Sequence, residues 1–197
     1  MKIIVNAFGE YQTNCYIIKV DNKDFIIDPG KGAVKWVLEN VKNPVAILNT
    51  HGHFDHIWDN AALKKELNIP IVCSKDDGFM LEKDYFHLGT PTSSPDILIE
   101  EDGKREIGGT EFEFILYPGH TPGCMGIIIK DAFFSGDFVF ANSIGRVDLP
   151  YSDPDMMRKS IKKLLKLKTN YNIYPGHGNA TTLDSERNLL EIWKNSL

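Results

Sequence analysis

The stretch NTHGHFDHIW, residues 49–58, packs three of the chain's six histidines and one aspartate into six consecutive positions. Clustered imidazoles repel one another when protonated and bring little apolar surface, so packing does not explain them. A polar surface loop is the plain alternative. Metal ligation explains the cluster better, because neutral imidazole is the commonest biological metal ligand. The chain just before it, VAILNT at 45–50, reads as a short apolar strand. In an extended continuation His51 and His53 point the same way, whereas a helix would need a spacing of four, as in His-Glu-x-x-His. Asp55 and His56 lie about one turn further on. This reading requires more histidine or aspartate downstream, in loops that can converge on this one.

They are present. His120 lies in YPGHTPG, Asp137 in FFSGD and His177 in IYPGHG, each at the end of a strand-like run beside glycine or proline. Loops at strand ends commonly display functional side chains, and glycine and proline permit the sharp turns that aim them. His87, in YFHLG, lacks this setting and is expected at a lip or on the surface.

Working outward, KIIVN, CYIIKV and DFIIDPG read as strands, and AVKWVLENVK as a helix stopped by Asn43-Pro44. VAILNT, a helix in NAALKKELN and the strand IPIVCS complete the first half. The second half repeats the scheme with strands in DILIE, EFEFILYPG, GCMGIIIK and AFFSGD. A helix over DPDMMRKSIKKLLKLK follows, capped by Ser152 or Asp153 with Pro154 in its first turn, then the strand YNIYPG and the helix LDSERNLLEIWKN. Each half runs from several strands to a helix, which predicts two sheets packed face to face with helices outside. No linker-like shift divides residues 1–197, so one domain is expected.

The net charge of −5 makes a nucleic-acid surface an unattractive default. No stretch approaches the roughly 18 apolar residues of a membrane span, and the opening MKIIVNAFGE is too short in apolar residues for a signal core. Cys15, Cys73 and Cys124 are odd in number, far apart and set in apolar strands. They read as buried free thiols suited to a reducing cytoplasm, where we expect the protein to reside.

Together, Thr-His-x-His-x-Asp-His, Gly-His-Thr-Pro-Gly, Ser-Gly-Asp and Pro-Gly-His-Gly, in this order between residues 50 and 178, resemble the metallo-β-lactamase superfamily. IIDPG at 26–30 matches its upstream strand-turn, and SIGRVDLP at 143–150 narrows the likeness to the glyoxalase II-like (hydroxyacylglutathione hydrolase-like) branch. The resemblance implies an α+β fold, a four-layer αββα sandwich with a dinuclear site at one edge of the sheets. It implies His51, His53 and His120 around a first metal, Asp55, His56 and His177 around a second, and Asp137 bridging both. No cysteine is among these ligands, so two divalent ions with zinc favoured fit the set, and iron or manganese are compatible. Arg146 falls where the branch anchors substrate, while Asp148 and Asn179 replace its further substrate contacts. Asp28 and Thr50 are expected to order the metal-bearing loops.

Two departures stand out. The family's Asp-His-x-Gly-Gly is here DHIWDN, with Trp58 and Asp59 in place of the small pair, expected to pack on the neighbouring loop. The residues after His177 leave room for one helix, so the C-terminal helical domain of full-length glyoxalase II is not expected.

The function implied is hydrolysis of a small-molecule thioester by a metal-activated hydroxide, oriented by Asp55. No nucleic-acid or membrane partner is expected, and the oligomeric state is not legible. A mononuclear-iron persulfide dioxygenase on the same scaffold is the first alternative. A nuclease and a non-catalytic metal-binding module are the others.

Overall fold

The computed structural model describes residues 1–197. Strands β1 (Lys2–Phe8), β2 (Thr13–Val20) and β3 (Lys23–Ile27) form an antiparallel meander. Helix α1 (Val34–Asn40) carries the chain over to β4 (Pro44–Leu48), parallel to β3. Helices α2 (Phe54–Ile57) and α3 (Asn60–Leu67) lead to β5 (Ile71–Ser74), and α4 (Gly78–Glu82) leads to β6 (Ile97–Ile99), again parallel.

The second half follows the same plan. Strands β7 (Gly103–Ile107), β8 (Thr110–Leu116), β9 (Met125–Ile129) and β10 (Ala132–Gly136) run antiparallel. A small hairpin, β11 (Val139–Phe140) with β12 (Ser143–Ile144), precedes α5 (Pro154–Leu164). Then β13 (Asn172–Pro175) lies parallel to β10, β14 (Thr181–Thr182) pairs with β13, and α6 (Leu183–Ser196) closes the chain. The two six-stranded sheets have orders β1-β2-β3-β4-β5-β6 and β14-β13-β10-β9-β8-β7.

Side-chain alternation along the strands builds the layers. Tyr16, Ile18, Phe25, Ile27 and Leu48 of the first sheet share one buried cluster with Phe112, Phe114, Ile127 and Phe134 of the second. The intervening residues Ile17, Ile26 and Ile47 face the opposite way and pack with Val37, Ile57 and Leu63 of the first half's helices. In the second sheet Ile115, Ile128 and Phe133 pack with Met157, Ile161 and Leu164 of α5 and Leu190 of α6. Three apolar interfaces separate four layers, giving the αββα sandwich.

Helix ends follow local chemistry. Asp153 caps α5 by accepting from Met156 N at 3.0 Å, with Pro154 at the first helical position. Helix α1 is shorter than its apolar stripe predicts, because Val41 is already extended. The polar strand β7, with Lys104, Arg105 and Glu106, carries no strong hydrophobic signal and is absent from the sequence reading. It is fixed by pairing with β8.

At the end of the second sheet, the buried Glu186 ties α6 to the loop between β11 and β12. It accepts from Asn142 N at 2.9 Å and Thr181 Oγ1 at 2.6 Å. Replacing Glu186 with alanine removes both bonds. It should cost about 1.5–3 kcal/mol, the range for hydrogen bonds to a charged group, read as a lowered Tm in thermal unfolding. An unchanged Tm would show that water takes over both bonds.

Candidate metal centre

In both sheets the parallel strands end at the same edge of the sandwich, and the polar cluster gathers there. Asp28 follows β3, the run from Asn49 to His53 follows β4, Asp137 follows β10 and His177 follows β13. His120 comes from the turn between β8 and β9, and Asp55 and His56 from α2. The carboxyl ends of parallel strands are where open α/β sheets generally display ligand-binding loops.

All seven predicted residues meet here. His51, His53 and His120 present ligand atoms within 4.8 Å of one another, as do Asp55, His56 and His177. Asp137 lies between the groups. Its Oδ2 is 3.5 Å from His120 Nε2 and 3.4 Å from His177 Nε2, while Oδ1 is 3.4 Å from His56 Nε2. The fit is close: a β-carbon on Gly176 would collide with Asp137 Oδ1 and His56.

Hydrogen bonds to the far ring nitrogen orient most of these histidines. His120 Nδ1 donates to the Arg146 carbonyl at 2.8 Å, and His177 Nδ1 to the Tyr11 carbonyl at 2.9 Å. His56 Nδ1 donates to Asp28 Oδ2 at 3.0 Å. Thr50 Oγ1 spends its single proton on Asp28 Oδ2 at 2.5 Å, so it accepts from His51 Nδ1 at 3.1 Å. Each bond leaves Nε2 as the nitrogen aimed into the cluster, the arrangement that fixes tautomer and direction in metal-ligating histidines. Nε2 of His51, His53 and His120 and Oδ1 of Asp137 are buried and make no hydrogen bond. Buried polar atoms without partners are rare in folded proteins. A divalent ion would satisfy them, and the all-N/O donor set suits zinc, iron or manganese.

A third grouping, Asp28 with His51 and His56, is also compact. The Asp28 oxygens are already engaged, however, by Thr50 N at 2.8 Å, Thr50 Oγ1 and His56 Nδ1. Asp28 therefore serves as an orienting acceptor, as expected of it and Thr50.

Electrostatics divides the two groups. Burial pushes the imidazoles of His51, His53 and His120 down, His53 to about 3, so they are neutral near pH 7. Burial alone would raise Asp55, but the charge on His56 and hydrogen bonds from His177 and Thr13 hold it at about 2. Burial would likewise lower His56 and His177, yet the carboxylates around them win: Asp55 and Asp137 hold His56 up, and His177 is raised to about 9.

The other expected residues differ in role. Arg146 lines the cleft above the cluster, but its guanidinium is engaged by Asp148 through two bonds of 2.9 Å. His87 is exposed and does not line the cleft. The three cysteines are free and buried. Asp59 explains half of the Trp58–Asp59 departure, since its Oδ2 accepts from Gly32 N at 3.0 Å and Val34 N at 2.9 Å and holds the turn that starts α1.

One residue went unread in the sequence. Asp77, fully buried after β5, joins the two loops of the first histidine group. Its Oδ2 accepts from Gly52 N at 2.9 Å and Thr121 Oγ1 at 2.7 Å, and Oδ1 from Gly123 N at 2.6 Å. Gly52 separates His51 from His53, and Thr121 follows His120. Nothing in SKDDG distinguishes Asp77 from Asp76, so only the fold reveals it.

The fold and this edge site define a class, the metallo-hydrolases built on an αββα sandwich. The chain belongs to the metallo-β-lactamase superfamily, whose family model matches residues 8–177. It is 34% identical to hydroxyacylglutathione hydrolase GloC of Haemophilus influenzae, covering 95% of each chain. Among solved structures, it resembles the BLEG-1 B3 metallo-β-lactamase with a TM-score of 0.87 at 31% identity, over 95% of this chain and 97% of that one. It also resembles TTHA1623, solved in a di-iron-bound form, with a TM-score of 0.82 at 32% identity, over 93% and 96% of the two chains. No helix is long and apolar enough to cross a membrane.

The Asp77 clamp has a measurable consequence. Asp77→Asn places an amide NH2 where one carboxylate oxygen accepted, so it should weaken metal binding at the first histidine group about tenfold or more, one lost charge-assisted bond's worth. Competition titration with a chelator reads this. Burial outweighs the hydrogen bonds from Thr121, Gly52 and Gly123 and raises Asp77 from 3.8 to about 6. A carboxyl raised on folding contributes stability that is fully present below its unfolded pKa and is lost as pH rises through the folded value. The stability of the native chain relative to Asp77→Asn should therefore increase as pH falls from 7 towards 4, measured by denaturant unfolding. A difference independent of pH would contradict the raised carboxyl.

Proposed function

We propose that this protein is a thioester hydrolase that works with two divalent metal ions, zinc favoured, on a small-molecule substrate. The observation that carries the reading is the position of Asp137, in reach of His120 on one side and of His56 and His177 on the other. His51, His53 and His120 would hold one ion, Asp55, His56 and His177 the other, and Asp137 both. Bound there, the ions would lower the pKa of water to give a nucleophile near neutral pH and would polarise the scissile carbonyl.

The chain's own groups do the rest. Asp55, anionic and fixed by Thr13 Oγ1 at 2.7 Å, lines the cleft and orients the attacking water. Two divalent ions against the charges of Asp55 and Asp137 leave the site net positive, which favours charge developing on the carbonyl oxygen and on a departing thiolate. A thiol with a pKa of about 8.5 leaves readily as its anion, whereas an amine must be protonated first. No histidine outside the ligand set lines the cleft to give that proton. The similarity to a protein named hydroxyacylglutathione hydrolase supports the thioester reading. Arg146 would anchor an anionic part of the substrate by exchanging Asp148 for it.

Elemental analysis of protein purified without chelator should give near two metals per chain, and Asp137→Ala should lose metal and nearly all turnover. A constant value near one, unchanged by added zinc, iron or manganese and accompanied by oxygen uptake with persulfide, would favour the mononuclear-iron dioxygenase. In a panel of acyl thioesters, a chromogenic β-lactam and a phosphodiester, thioesters should have by far the highest kcat/KM. Equal or better turnover of the lactam or phosphodiester would overturn the thioesterase reading while leaving the metal site intact.

A further inference from the structure

Beside the cleft that holds the histidine cluster lies a second cavity of about 160 Å³. Phe8, Tyr11, Phe54, Trp58 and Leu88 supply its apolar walls. Tyr11, Phe54, Asp55 and Leu88 line both spaces, so the cavity shares a wall with the cleft at a proposed metal ligand. Tyr11 and Phe54 form the partition, edge to face with centroids 5.3 Å apart, and the Tyr11 carbonyl is fixed by His177 Nδ1. Trp58, the large residue where the family's motif has a small one, forms part of the wall. Lys31 Nζ lies 4.3 Å from the centroid of its ring, and Asp59 secures the turn that carries Lys31.

We propose that this cavity is a substrate subsite for a phenyl-sized apolar group attached to the thioester. The inference rests on the thioesterase reading above. Size supports it, since an apolar cavity of about 150 Å³ accommodates benzene. Chemistry supports it too: four of the five apolar walls are aromatic and offer edges and faces to a ring. The charged groups on its lining are Lys31, stacked on Trp58, and the carboxylates of Glu10 and Asp55. With both signs present, no single ionic group is selected, and apolar contact is left to decide the occupant. Tyr11 and Leu88, both exposed at the rim shared by the two spaces, are the side chains over which part of the molecule being cleaved would reach the cavity. Trp58 is then a specificity residue, whose smaller counterpart would remove one wall.

The test has a kinetic part and a binding part. In the metal-loaded enzyme, kcat/KM for the phenylacetyl thioester of N-acetylcysteamine and for the acetyl thioester of benzyl mercaptan is compared with that for acetyl-N-acetylcysteamine. One of the two phenyl substrates should be preferred about tenfold or more, as burial of a ring predicts, and which one tells whether the acyl or the thiol arm enters. Trp58→Ala should collapse that ratio. In the binding part, the neutral probe 4-phenylbutanamide is titrated into the protein and the tryptophan indole N–H signals are followed by NMR. The Trp58 signal, assigned by its loss in Trp58→Phe, should move while that of Trp193, packed against the second sheet, stays. A Trp58 signal that does not move, or a phenyl preference that survives Trp58→Ala, overturns the subsite. Movement of the Trp58 signal without hydrolysis of any thioester would retain the subsite and sink the thioesterase reading instead.

Discussion

The buried carboxylate of Asp28 is the contact on which the metal-binding edge depends. Its two oxygens take the backbone N–H and hydroxyl of Thr50 and the ring N–H of His56. Through Thr50 it also fixes the ring of His51. One side chain at the end of β3 thereby sets the direction of a histidine in each group. Its backbone is in the left-handed region, with φ of 49°, a conformation that aspartate tolerates better than most residues. Asp77 does the corresponding work from the next parallel strand but one, joining backbone to backbone instead of orienting rings. Both depend on parallel strands ending level at one edge, which the three apolar interfaces of the sandwich enforce.

That arrangement carries an electrostatic cost. Three carboxylates, Asp28, Asp55 and Asp137, are gathered with five imidazoles where little water reaches them. Burying ionised groups is unfavourable unless charge and hydrogen bonds compensate. Divalent ions would supply that compensation, in place of protons on the surrounding imidazoles. Stability and function are coupled here, because the groups that most need a counter-charge are those placed to bind one.

Around this centre the mouth is built from less constrained parts. Arg146 and Asp148 satisfy each other on an exposed loop, where ion pairs contribute little. Phe86 and Leu88 reach the cleft from a segment without regular structure, held in part by Asp84 accepting from Leu88 N and Gly89 N. The Trp58–Asp59 pair shows how adjacent residues divide their tasks. Asp59 faces inward and caps a turn, while Trp58 faces the cavity and shapes it.

Much of the centre is determined by the sequence alone. His51, His53, Asp55, His56, His120, Asp137 and His177 are legible because ligation needs particular side chains beside glycine and proline turns, and local spacing records both. The layers are legible too, since the nearly unbroken apolar runs CYIIKV and GCMGIIIK belong to strands covered on both faces, and the stripe of Met157, Ile161 and Leu164 marks the buried face of a helix. The tertiary structure decided what depends on contacts between distant segments. Asp77 looks like its neighbour Asp76 until Gly52, Thr121 and Gly123 are brought to it, at sequence separations of up to 46 residues. Arg146 reads as a free anchor until the loop turns Asp148 onto it. The cavity beside the cleft has no local signature, for its walls come from β1, the turn after it, α2 and the loop bearing Leu88, and only packing the first sheet against its helices brings them together.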